Sequence, residues 1–282
     1  MVLSQRNKSL LDGLFAGELS HAYVLSGPWG SFLADAATHV AQRVFCQHET
    51  EKPCGLCHGC LSIAKETNPD FFRVQPEGKI AIATVRNIQE RVRFGPTYAK
   101  HLLCIIHDAD QMTTEAANAF LKTLEEPPQG VCFMLLTHQR FSLLPTIRSR
   151  VQEVVLNPAH AEDWLPVLGT VPVLQGFYES HPNATELIAY LLETNTEPDF
   201  PAVPYAEFLT WSLNQRLELA GQLATDKQKA TLFLMLWLYD FKHLQGMNRT
   251  QTRNMDLIIE NISQMTYNLN LRLHLEQLFI GL

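Results

Sequence analysis

The sequence predicts an α/β domain built on a parallel sheet and carrying a cysteine-rich insert, followed by a helical segment and an all-helical C-terminal domain. Three observations predict it. Up to Leu156, short apolar runs of strand length alternate with helical periodicity, the pattern of a sheet covered by helices on its faces. Four of the six cysteines fall between Cys46 and Cys60. From Tyr205 to Leu282 only helical periodicity appears.

The strands are expected at Tyr23-Val24-Leu25, Phe72-Arg73-Val74, Leu102 to Ile106, Val131 to Leu136 and Val151 to Leu156. Each is short, apolar and often β-branched. One helix between them is clear. Thr113 or Thr114 can cap it, and Glu115 sits in its first turn, where the helix dipole favours a negative charge. Ala116, Ala119, Phe120, Thr123 and Leu124 share one face, and Pro127-Pro128 stops the helix.

Pro158 opens a stretch of short helices around Leu165, Leu168, Leu187 and Leu191, and three prolines between Glu197 and Pro204 mark a linker. Beyond it, Leu232, Met235, Leu236 and Tyr239 form one helical stripe and Ile258, Ile259, Ile262 and Met265 another. The expected domains are residues 1–157, 158–200 and 201–282. A chain of 282 residues with 46% hydrophobic residues can bury two or three cores.

Composition narrows the function. With 22 basic and 29 acidic residues, the formal charge is −7. That balance argues against a chain whose own main ligand is a phosphate backbone. The N-terminus lacks the apolar stretch of a signal peptide. No apolar run approaches the roughly 20 residues of a membrane span. The expected location is cytoplasmic, with no membrane partner. In a reducing compartment, clustered cysteines point to metal rather than to disulfides. Cys104 and Cys132 lie in strand-like runs and read as inert core residues.

The segment Ser26-Gly27-Pro28-Trp29-Gly30-Ser31-Phe32-Leu33-Ala34 follows a strand and opens a helix, which is the setting of a phosphate loop. A working loop reads G-x-x-x-x-G-K-[ST]. With the register begun at Gly27, Phe32 falls on the second glycine, Leu33 on the lysine and Ala34 on the magnesium-binding hydroxyl. All three chemical parts are missing, so no ATP is expected to bind. An ordinary strand–helix turn explains the same residues equally well. The strand Leu102 to Ile106 ends in His107-Asp108-Ala109-Asp110, where an ATPase places Asp-Glu. His107 takes the magnesium-supporting position and Asp108 the water-orienting one. Imidazole is a poor partner for magnesium, which prefers oxygen. Polarity at a helix start accounts for Asp108 and Asp110 as well.

Cys54-x-x-Cys57-x-x-Cys60, with Cys46 upstream, supplies four thiolates, a full tetrahedral shell for zinc with no position left for substrate. The reading is a structural Zn2+; an iron–sulfur cluster and free thiols are the alternatives. His48 and His58 are spare donors.

These residues carry a resemblance. Leu19-Ser20-His21-Ala22-Tyr23, the four-cysteine insert, the run Asn118 to Pro128 ending in Leu-Glu-Glu-Pro-Pro, Arg148-Ser149-Arg150 and the terminal Asn268 to Glu276 resemble the clamp-loader AAA+ subunits of bacterial DNA polymerase III. The resemblance covers residues 1–157 strongly, the tail moderately and 158–200 by position alone. It implies an AAA+ (P-loop NTPase-like) domain with a zinc-binding insert, a small helical lid and an all-α collar. Two subunit types share this architecture: a gamma/tau type that hydrolyses ATP, and a delta-prime type, often without an ATP site, that acts as a rigid stator. The degraded loop is similar to the second. On that resemblance the chain helps load the sliding clamp in DNA replication and hydrolyses no ATP. Arg150 serves as an arginine finger reaching a neighbour's ATP site, and Thr137 falls at the sensor position. The implied partners are gamma/tau and delta subunits in a hetero-oligomeric ring, with the sliding clamp and primer-template DNA met through the complex. A gamma/tau-type ATPase and a free-standing zinc protein that reads nucleic acid are the competing readings.

Overall fold

The computed structural model describes residues 2–76, 78–168, 185–194, 203–242, 248–264 and 270–282. Much of the expected middle domain, most of the proline-rich linker, Met265 and Asn268-Leu269 lie outside the described residues. The chain divides into two compact units, Met1–Trp164 and Leu165–Leu282.

The first unit holds a five-stranded, all-parallel sheet: β1 (Ala22–Ser26), β2 (Phe71–Val74), β3 (Leu102–Ile106), β4 (Val131–Thr137) and β5 (Gln152–Val155), in the order β2-β3-β4-β1-β5. Around it run α1 (Gln5–Leu14), α2 (Leu33–Phe45), α3 (His58–Ala64), α4 (Ile82–Val92), α5 (Thr114–Glu125) and the single turn α6 (Pro145–Arg148). Strands buried on both faces must be apolar on both. Ala22, Val24, Cys104, Phe133 and Leu135 therefore face one core with Val85, Ile88, Phe120 and Leu124 of α4 and α5. Tyr23, Leu25, Leu103, Ile105 and Met134 face another with Leu11, Leu33, Ala37 and Val40 of α1 and α2. Cys104 and Cys132 sit in these cores; burial pushes both thiols up, Cys132 to about 12. Thr113 caps α5, its hydroxyl accepting from Ala116 N–H at 3.2 Å. The last strand differs from expectation. β5 is an edge strand with Gln152, Glu153 and Val155 exposed, because it pairs on one side alone.

In the second unit the described elements are helical: α7 (Ala161–Leu168, straddling the division), α8 (Thr185–Thr194), α9 (Tyr205–Phe208), α10 (Leu213–Leu223), α11 (Lys227–Lys242), α12 (Arg249–Gln264) and α13 (Leu271–Gly281). Trp237 centres the core, with ring centroids 4.5 to 5.6 Å from Phe208, Phe233, Phe279 and Tyr205. Its indole N–H donates to Val203 O at 2.8 Å. Leu232 and Leu236 of the expected stripe are buried, and Met235 departs from it. Phe233, Trp237 and Phe241 turn α11 inward, since aromatic rings bury the most area. Met235, two residues from both Phe233 and Trp237, is left partly in solvent, as is Ile259 of α12.

Candidate functional site

The β1–α2 loop is a packed structural element. A side chain at Gly27 would come within 2.8 Å of Leu156 O, so only glycine fits there. The chain leaving β5 crosses the loop: Leu156 N–H donates to Ser26 O and Ala159 N–H to Gly30 O, both at 2.7 Å. Phe32 sits in the left-handed region, φ 50° and ψ 55°, at the cap of α2. A non-glycine residue there costs about 1 kcal/mol or more. Its side chain is buried, as is that of Leu33, which packs into the core beneath α2. Ala34 offers no hydroxyl. Asp35, in the first turn, accepts from Val2 N–H, which brings the N-terminal segment onto this helix end. Its carboxyl pKa is raised by burial, against the pull of the Val2 N–H and of nearby positive charge. A carboxylate thus stands at the helix end where a phosphate would need positive charge.

The end of β3 is equally altered. His107 Nε2 is buried and has no hydrogen-bond partner among the described residues. Burial, with Arg73 nearby, holds its pKa down at about 4, so the ring is neutral near pH 7. Asp108 adopts φ 47° at the cap of a 3₁₀ turn, and burial followed by Asp110 raises its pKa. Thr137 ends β4, and its hydroxyl donates to Asp110 at 2.5 Å while accepting from Gln139 N–H. His138 Nδ1 lies 2.9 Å from Gly27 O, and its ring stacks on Trp29 with centroids 3.6 Å apart. A carbonyl only accepts, so Nδ1 carries the proton. The adjoining cleft, of about 470 Å3, is lined by Gly27, Pro28, His138 and Arg140 among others. Its one guanidinium lies 3.8 Å from Glu153. Among the described residues lining the cleft there is no lysine.

The structure brings Cys46, Cys54, Cys57 and Cys60 together, with all four sulfurs within 4.8 Å of one another. Pairs lie 3.9 Å apart (Cys57–Cys46) and 4.0 Å apart (Cys54–Cys60). A disulfide needs about 2.05 Å, whereas a tetrahedron with metal–sulfur bonds of about 2.3 Å has edges near 3.8 Å. The donors therefore fit a metal ion. Backbone N–H groups of Gln47, Cys54, Cys57 and Cys60 point at the sulfurs at 3.4 to 3.5 Å, the arrangement that steadies thiolate charge. His48 and His58 are exposed and take no part in the cluster. Gly59 is obligatory: a Cβ there would lie 1.8 Å from Phe45 O. Arg43 of α2 ties the loop to the sheet domain, donating to Lys52 O at 2.6 Å and to Asp12 at 3.1 Å.

Arg150 follows α6 on the surface. Its guanidinium pairs with Glu125 at 2.6 Å and donates to Thr146 O at 2.9 Å and Ser149 Oγ at 3.2 Å. Its carbonyl accepts from His21 Nε2 at 3.0 Å. Sequence reasoning missed four participants: Asp35, the Trp29–His138 stack, Arg43 and Glu125. An acidic residue in a first turn was a readable signal for Asp35; the others are contacts between segments distant in sequence.

The family described as DNA polymerase III, delta subunit, matches residues 4–160. The chain belongs to this family. Within the polymerase III subunits it is similar to the delta' subunit of Bacillus subtilis, 38% identical over 152 residues, which is 54% of this chain and 46% of that protein. The delta' subunit of Pseudomonas aeruginosa is 36% identical over 153 residues, 52% of this chain and 47% of that one. The Bacillus subtilis tau subunit is 34% identical over 146 residues, 51% of this chain and 26% of its own. The matched part of this chain spans about half the length of the delta' relatives. A gamma subunit-related protein of Thermotoga maritima shares the fold, with TM-score 0.60, 19% identity and 97% coverage of both chains. This family member thus pairs a parallel α/β unit with a helical C-terminal region. Among its described residues no helix is long and apolar enough to cross a membrane.

Proposed function

We propose that this chain is a non-hydrolysing stator subunit of a DNA polymerase III clamp loader, acting in DNA replication in the cytoplasm. One observation carries the reading. At the phosphate-loop position Leu33 is core, and a carboxylate, Asp35, stands in the same first turn of α2, while Ser149-Arg150 remains on the surface. Such a subunit binds no ATP and supplies Arg150 in trans. A guanidinium aimed at a neighbour's transferring phosphoryl group stabilises the charge that builds there. Gamma/tau and delta subunits complete the hetero-oligomeric ring, and sliding clamp and primer-template DNA are met through it. A lid within residues 158–200 and a collar over 201–282 complete the architecture. The cysteine cluster holds a structural Zn2+, which stiffens the insert and performs no chemistry. The similarity to tau subunits favours the competing reading, a gamma/tau-type ATPase, but that enzyme needs the lysine and the carboxylate that Leu33 and His107 replace.

The test is Arg150→Ala in the complex reconstituted with its cognate subunits. DNA-stimulated ATP hydrolysis should fall by roughly tenfold or more, with assembly intact. An unchanged rate removes the finger. Micromolar ATP binding to the isolated chain removes the stator.

A further inference from the structure

The partner of Arg150 suggests how such a finger would be controlled. Glu125 is the last residue of α5, and Glu126 caps the helix after it. A carboxylate at a helix C-terminus faces the negative end of the dipole and is disfavoured there unless a cation meets it. Arg150 is that cation, with Nη2 at 2.6 Å from Glu125 Oε1. The guanidinium also spends Nη1 on Thr146 O and Ser149 Oγ, and Ser149 Oγ in turn donates to Thr146 O at 3.1 Å. Three acceptors on its own chain thus fold the arginine back onto the subunit. The backbone beneath is fixed independently, through His21 on the Arg150 carbonyl and Arg150 N–H on Ile147 O at 2.9 Å. Both charged groups remain solvent-accessible, 36% for Arg150 and 50% for Glu125. A rotation of the side chain alone therefore frees the guanidinium.

We propose that Glu125 is a positioning residue that parks Arg150 against its own subunit, so that the finger reaches a neighbour's phosphates only after leaving this carboxylate. The proposal rests on the trans-finger reading above and adds a control to it. The developing charge on a neighbouring phosphoryl group competes with Glu125 for one guanidinium. Weakening the parking contact then favours the extended finger in the transition state, and the barrier to hydrolysis drops. Exposed pairs of this kind are weak, so the control is a tuning of a few fold rather than a lock.

The experiment uses the full chain in the reconstituted complex, reading DNA-stimulated ATP hydrolysis for four variants. Arg150→Ala should lower the rate by tenfold or more, which establishes the finger. Glu125→Gln keeps the shape and removes the charge. It should raise kcat about two- to fivefold, with KM for ATP and assembly affinity unchanged. Glu125→Asp should return most of the wild-type rate, and the Glu125→Gln, Arg150→Ala double variant should match Arg150→Ala alone. The ratio of Glu125→Gln to wild type should shrink as salt screens the pair, a response that a purely structural role does not produce. If Arg150→Ala slows hydrolysis while Glu125→Gln leaves it unchanged or slows it too, Glu125 does not park the finger, though the finger stands. If Arg150→Ala has no effect, the finger itself is wrong and the control falls with it.

Discussion

Replacing Leu33 by lysine restores the charge that a phosphate loop needs, and this protein should reject it. Leu33 is 3% exposed and packs with Ala36, Ala37 and Val40 of its own helix and with the sheet. Losing that buried side chain costs about 2–3 kcal/mol. The ammonium then stays desolvated or drags the start of α2 outward, which adds a further 1–2 kcal/mol or so. Asp35 offers little rescue, because residues two apart lie on different helix faces and its carboxylate already takes the Val2 N–H. The sum, roughly 3–5 kcal/mol, should lower the melting temperature of the N-terminal unit by on the order of 10 °C. Thermal unfolding gives that shift, and calorimetric titration with Mg-ATP gives the function. Leu33→Lys should bind no nucleotide at micromolar concentrations. Phe32→Gly and Ala34→Thr added to it should still bind none, because neutral His107 and the Asp35 carboxylate remain. A Leu33→Lys protein that melts within about 2 °C of the parent, or any of these variants binding ATP tightly, would show that the loop is a dormant site rather than a packed turn.

Metal analysis of the purified chain should find about one zinc per chain, and Cys60→Ser should lose the metal and lower the melting temperature; a well-folded, metal-free protein would defeat the zinc assignment. His107 predicts an acid dependence. Its folded pKa, about 4, lies below the ordinary value of 6.5, so between those pH values the unfolded chain takes up a proton that the folded chain excludes. The associated stability is fully present above pH 6.5 and is lost progressively as the pH falls toward 4, by up to about 3 kcal/mol. Urea midpoints at pH 7 and 4.5 should converge for His107→Leu relative to wild type; equal pH sensitivity in both proteins would place the titration elsewhere.

The parallel α/β domain and the helical region after it were legible in the sequence because both leave periodic traces. Strands buried on both faces are short apolar runs, and α5 announces itself through Thr113, its apolar face and Pro127-Pro128. The cysteine cluster was legible because C-x-x-C spacing is local, and the structure gathers the same four sulfurs. The inward faces of α11 and α12 were less so. Apolar periodicity marks that a face is buried, but Met235 and Ile259 are as apolar as their neighbours. The choice fell to the ring cluster around Trp237, which joins segments far apart in the chain.

The phosphate-loop position divides the same way. The sequence alone determined what is missing there, since the absence of a lysine, a glycine and a hydroxyl is a fact of composition at fixed positions. Only the tertiary structure decided what fills the place: Phe32 held left-handed, Leu33 in the core, Val2 donating to Asp35, and His138 bound to Gly27 beneath Trp29. It likewise decided that Arg150 meets Glu125, 25 residues away in sequence but 2.6 Å away in space. The reason is physical. Local sequence fixes backbone preference and periodicity, while the meeting of two side chains depends on how whole elements pack, and that is set by the sum of many small burial energies rather than by either residue.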